Sequence, residues 1–197
     1  GDPFNELLLA KSINNLKSLN IFGKVDYELI NEDDNKKILN INVEEKPTGE
    51  IFASAGTGTD GTTFGVGVNE NNFLGKNIKL KSNLRVSDET VKGLFSVVNP
   101  NWNYSDKTLI TSVESSVTDR MTDYGYETGK TGFSLGSAWE QYDDVIFSPT
   151  ISTFYEKLDT NQSASDNLKK QEGEYLDSSF SYSLDLDKRN QRFQTSD

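Results

Sequence analysis

An antiparallel, mainly β fold of the up-and-down barrel type is what this sequence predicts, and three observations predict it. Between Asn77 and Val86, Ile78, Leu80, Ser82, Leu84 and Val86 occupy one set of alternate positions and Lys79, Lys81, Asn83 and Arg85 the other, as in a strand with one apolar and one wet face. The pattern recurs in segments joined alternately by short and longer polar connections, as in a transmembrane barrel. Finally, mean hydropathy is -0.63, and nowhere do about 20 apolar residues run together, the length a spanning helix requires. A barrel crosses a bilayer with about 9–11 residues per strand and a polar interior, so low hydropathy is compatible with it. A soluble antiparallel sandwich also alternates, and the pattern alone leaves both open.

Composition narrows the function classes. The 197 residues carry 31 acidic and 20 basic side chains, a net charge of -11, which disfavours nucleic acid as a partner. There is no Cys and no His, which removes thiolate chemistry, disulfides, and the commonest general base and metal ligand. The acidic cluster Asn31-Glu32-Asp33-Asp34-Asn35 has no EF-hand spacing and reads as solvated surface. No nucleophile stands beside a base, so neither enzyme activity, cofactor nor metal is expected. Gly1-Asp2-Pro3-Phe4 lacks the basic start and apolar core of a leader, which is expected to have been removed or to lie upstream.

The chain divides near Pro47. In residues 1–47, Asp2 is the expected cap of a helix with Pro3 at its first position; Leu9, Ile13 and Leu16 fall on one face, and the helix should end near Asn20. Val25, Tyr27 and Leu29 then alternate on one strand and Leu39, Ile41 and Val43 on another, with Asn31 to Lys36 as the turn. A helix plus a hairpin buries little surface, so a preceding strand and helix are expected outside this chain. In residues 48–197 the alternation predicts eight strands, at about 50–57, 62–68, 77–86, 91–98, 108–118, 130–141, 145–156 and 175–186.

The junction Asn40-Ile41-Asn42-Val43-Glu44-Glu45-Lys46-Pro47-Thr48-Gly49 is followed by Gly56-Thr57-Gly58-Thr59-Asp60-Gly61, by Val66-Gly67-Val68-Asn69-Glu70-Asn71-Asn72-Phe73-Leu74-Gly75 and by Val97-Val98-Asn99-Pro100-Asn101-Trp102. These segments resemble the passage from the last POTRA domain into the barrel of BamA-like outer-membrane insertases, the POTRA and bacterial surface antigen superfamily. Leu16 to Phe22 resembles the end of the POTRA helix and the strand after it, with Asn20-Ile21 where the family often has Gly-Phe. Leu186 to Asp197 resembles a family turn that usually has Pro where Gln194 stands.

The resemblance implies that residues 1–47 are a partial last POTRA domain and 48–197 the N-terminal half of a barrel of roughly 16 strands. The first would lie in the periplasm and the second in a bacterial outer membrane. The first barrel strand, Glu50, Ile51, Phe52, Ala53, Ser54, Ala55, Gly56 and Thr57, is small and poor in β-branched residues, so its pairing should be weak. In the family reading it is a lateral gate, where an incoming strand pairs through backbone hydrogen bonds; the same small residues would also suit sheet curvature.

Lys24, Val25, Asp26, Tyr27, Glu28 and Leu29 form a second candidate edge in the POTRA hairpin, with plain packing as the alternative. With strand one running outward, turns at Asn69–Lys76, Asn99–Lys107 and Gln141–Asp144 fall on the periplasmic side, and Thr118–Lys130 and Leu158–Glu174 become outer loops. Phe73, Trp102, Tyr104 and Tyr142 then belong to a periplasmic aromatic girdle, or to turn packing in a soluble sandwich. Lys79, Lys81 and Arg85 would line a solvated lumen. Implied partners are unfolded outer-membrane proteins, accessory assembly lipoproteins and outer-membrane lipid. A POTRA-containing secretion transporter and a soluble β-sheet binding module are the alternatives.

Overall fold

The computed structural model describes residues 4–33, 36–58 and 61–186. They fall into two compact units, one ending at Thr48 and the other beginning at Gly49.

The first unit is a helix and a hairpin. Helix α1 spans Glu6–Ser18, and Asn5 in extended conformation caps it, its Oδ1 accepting from the amides of Leu7 and Leu8. A side-chain acceptor at this position satisfies amides that lack helical partners. The cap is therefore Asn5 rather than Asp2; Asp2 and Pro3 lie outside the described residues. The helix stops at Ser18, earlier than expected, and Asn20 takes a left-handed φ of 58° that turns the chain into strand β1. Ile13 is the buried residue of α1.

Strand β1 (Phe22–Asp33) pairs antiparallel with β2 (Lys36–Glu45), placing Val25 opposite Val43, Tyr27 opposite Ile41 and Leu29 opposite Leu39. The expected turn at Asn31–Lys36 is largely strand: Asn31 faces Lys37 and Asp33 faces Lys36, while Asp34 and Asn35 lie outside the described residues. Cross-strand pairing carried the strands through polar residues that their composition marked as turn.

The second unit is one antiparallel sheet of eight strands: β3 (Gly49–Gly58), β4 (Gly61–Phe73), β5 (Ile78–Ser87), β6 (Thr90–Asn99), β7 (Thr108–Arg120), β8 (Tyr126–Tyr142), β9 (Val145–Thr160) and β10 (Gly173–Leu186). Each of the eight expected strands is present and pairs with its chain neighbours. Register puts apolar residues on one face. The row Ile51–Val68 on β3 and β4 is joined by Val66–Leu84, Val86–Val91, Phe95–Val113–Phe133 and Leu135–Ile151–Phe180 across the remaining strands.

That face is uncovered: Phe64 is 60% exposed, Val113 49%, Phe133 51% and Phe180 65%, and no large side chain is fully buried anywhere among the described residues. A soluble sandwich would cover such a face with a second sheet. Here no second layer exists among the described residues, and the apolar face is a continuous surface. The opposite face carries Lys79, Lys81, Asn83, Arg85, Lys92, Glu114, Lys130 and Glu156, with ion pairs Lys92–Glu114 at 3.0 Å and Lys130–Glu156 at 2.7 Å.

Several strands run further than alternation suggested. β4 continues through Phe73, β8 begins at Tyr126 and β9 ends at Thr160, so the expected loop Thr118–Lys130 contracts to residues 121–125 and Leu158–Glu174 to 161–172. At one end of the sheet lie the connections 74–77, 100–107 and 143–144; at the other lie 88–89, 121–125 and 161–172.

The larger loops are tied together. The Asn161 amide donates to the Gly125 carbonyl at 2.8 Å, the Asn161 Nδ2 to the Met121 carbonyl at 3.2 Å, and Arg120 Nε to Glu89 Oε2 at 2.6 Å. Gly125 has φ +74°, and a Cβ there would meet the backbone nitrogen of Ala164, a buried residue just before the short helix α2 (Asp166–Lys169).

Candidate functional site

Strand β3 stands at one end of the sheet and β10 at the other, and among the described residues neither pairs on its outer side. The eight strands therefore do not close on themselves. An edge strand presents a row of backbone donors and acceptors that another extended chain can satisfy.

The predicted gate residues Glu50 to Thr57 all lie on this edge. Ile51 is 84% exposed, and Ala53 and Ala55 follow it on the apolar face. On the polar face Phe52 is the half-buried residue of a strand that is otherwise exposed throughout. Its ring lies over Gly67, directly opposite on β4, so closely that a Cβ on Gly67 would overlap the ring. Ser54 covers Gly65 in the same manner, and both glycines are buried. Nothing lies within 4 Å of where a Gly56 Cβ would point. The site is thus an open edge held to the sheet by one aromatic contact and ten residues of ladder.

The other predicted edge, Lys24 to Leu29, belongs to β1 in the first unit. It is paired with β2 on one side, and Lys24 Nζ forms an exposed ion pair with Asp26 at 2.8 Å. Hydrogen bonding and charge from Asp26 raise the Lys24 pKa above its ordinary value.

Of the predicted girdle, Phe73 ends β4, Trp102 and Tyr104 lie between β6 and β7, and Tyr142 ends β8, all at one end of the sheet. Tyr104 is 94% exposed and Tyr142 70%. Sequence reasoning missed a second aromatic group. Trp139 meets Phe147 edge-on at 5.1 Å, Phe147 lies 6.2 Å from Tyr182, and the Lys107 ammonium sits 5.4 Å from the Trp139 ring. The signal was available, because Trp139 continues the alternate row of Phe133 and Leu135. Among the described residues no group of His, Cys, Asp or Glu is disposed to hold a metal ion.

The Omp85 superfamily domain matches residues 72–197. Among solved structures the chain is similar to BamA from Haemophilus ducreyi lacking POTRA domains 1–3, at 15% identity and a TM-score of 0.70. The match covers 95% of this chain but 39% of that structure, and at this identity it speaks for the fold. No curated protein sequence matches the chain. The sheet's open architecture, its apolar outer face and the matched domain agree: this chain belongs to the Omp85 superfamily.

Proposed function

We propose that residues 49–186 form part of the wall of an outer-membrane barrel and that β3 is the edge at which incoming outer-membrane proteins pair a strand during assembly. The observation that carries this reading is the unpaired outer edge of β3 in an Omp85 sheet, lined by Ile51, Ala53, Ala55 and Gly56 with little to obstruct an approaching backbone. Strand addition makes and breaks hydrogen bonds only, which suits a chain without Cys or His. The apolar face would meet lipid and the polar face a wet lumen. Residues up to Thr48 would be the end of a periplasmic POTRA domain, and the girdle aromatics would sit at the periplasmic interface. Unfolded outer-membrane proteins and accessory assembly lipoproteins are the proposed partners.

The test is Ser54→Cys in the complete outer-membrane protein, combined with a cysteine series along the terminal strand of a client. Crosslinks at one register during assembly are expected. Active assembly without a crosslink at any β3 position would sink the gate.

A further inference from the structure

We infer that Phe52 is a positioning residue: seated over Gly67, it locks β3 to β4 in a single register, so that the open edge reaches an incoming strand as a fixed template. This rests on the gate reading above.

The physical problem is specific to β3. A strand repeats its faces every two residues, so a slide by two keeps apolar and polar sides correct and is resisted only by what packs across the pair. On β3 very little does. Its apolar face offers Ile51, Ala53 and Ala55, against Val68, Val66 and Phe64, and every residue except Phe52 is exposed. Elsewhere in the sheet register is fixed by ion pairs and large cross-strand rows, such as Lys130–Glu156 and Phe95–Val113–Phe133. On β3 that duty falls to the polar face. There Phe52 fills the space that only glycine leaves open at Gly67, and Ser54 fills the space at Gly65.

A two-residue slide in one direction would bring Phe52 opposite Asn69, which has a side chain in the way. In the other it would bring Phe52 over Gly65, Ser54 onto Thr63 and the charged Glu50 over Gly67. The observed register alone covers both glycines without laying a charged side chain over one of them. A comparable contact occurs at Phe154 over Gly132 between β8 and β9, where the flanking Lys130–Glu156 pair holds the same register. The facing pairs that flank Phe52 are Glu50–Asn69 and Ser54–Gly65, neither of which joins opposite charges.

Cysteine pairs read the register directly. In the complete membrane-embedded protein, Ala53→Cys with Val66→Cys reports the observed register, while Ala53→Cys with Phe64→Cys or with Val68→Cys reports slides by two. With Phe52 present, oxidation should join only the first pair. In the Phe52→Ala background at least one slid pair should crosslink at a tenth or more of the yield of the first, and Phe52→Tyr should restore the single register. Heat-modifiable migration of each variant shows that the barrel has folded. A folded Phe52→Ala protein in which only the first pair still crosslinks overturns the inference. Because the readout needs no client, loss of client crosslinking with an intact register would count against the gate and leave this assignment standing.

Discussion

Lys130 and Glu156 stand directly opposite each other on β8 and β9, with Nζ donating to Oε1 at 2.7 Å, and the same ammonium lies 4.4 Å from the Phe154 ring. The pair and the ring together occupy the polar face where Phe154 crosses Gly132. One cation thus joins an electrostatic contact to an aromatic one across a single strand pair.

Removing that cation should cost more than removing its carboxylate partner. Both side chains are about 40% exposed, so Glu156→Gln is expected to lower unfolding stability by about 0.5–1 kcal/mol. Lys130→Ala also gives up the ring contact and should lose roughly a further 0.5 kcal/mol. Urea unfolding in detergent, run as a double-mutant cycle, measures both; a coupling energy of zero would show that the pair contributes nothing.

Two glycines of β8 should respond differently to an added methyl. A Cβ on Gly132 would meet the Thr153 carbonyl and the Phe154 backbone and ring, whereas a Cβ on Gly129 first meets Lys157 Cβ at 3.9 Å. Gly132→Ala should therefore destabilise by about 1–3 kcal/mol, because backbone cannot move aside. Gly129→Ala should stay within about 0.5 kcal/mol of the parent. Equal effects would contradict the packing of Phe154 on Gly132.

The two faces of β7 predict opposite tolerance for charge. Val113 lies on the exposed apolar face and Ser112 on the polar face beside Ser96 and Ser134. In lipid vesicles Val113→Arg should cost about 2–4 kcal/mol, and Ser112→Arg close to nothing. If the ranking reversed, the lipid-facing side would have been assigned backwards.

Asn5 closes the first turn of α1 through hydrogen bonds of 2.9 and 3.3 Å to the Leu7 and Leu8 amides. Asn5→Ala should weaken the helix by about 1 kcal/mol. Amide hydrogen exchange at Leu7 and Leu8 should then accelerate roughly five-fold, the amount that energy implies. Unchanged exchange would mean that another group caps the helix.

The strands were legible because their period is short and local. Ile78 to Val86 announces its two faces without reference to any partner, and the same holds along β6, β7 and β10. Strand ends were less legible. Asn69 to Phe73 and Tyr126 to Gly129 look like connections by composition, yet a neighbouring strand held them in the ladder. The helix cap was misplaced for a related reason: Asp2 and Asn5 have equal capping chemistry, and only the backbone path distinguishes them. Of the candidate site, the identity of the edge strand followed from the resemblance, while the seat of Phe52 on Gly67 did not. Fifteen positions separate the two, and nothing local marks one glycine as the partner of that ring.

The sequence by itself determined that this chain makes antiparallel strands with one apolar and one polar face, and that its 197 residues include no thiol or imidazole, because both follow from residue type and period. Tertiary structure decided which glycines lie under aromatic rings and which charges meet. Those depend on register between residues distant in the chain, and a shift of a single residue along a strand would exchange every face.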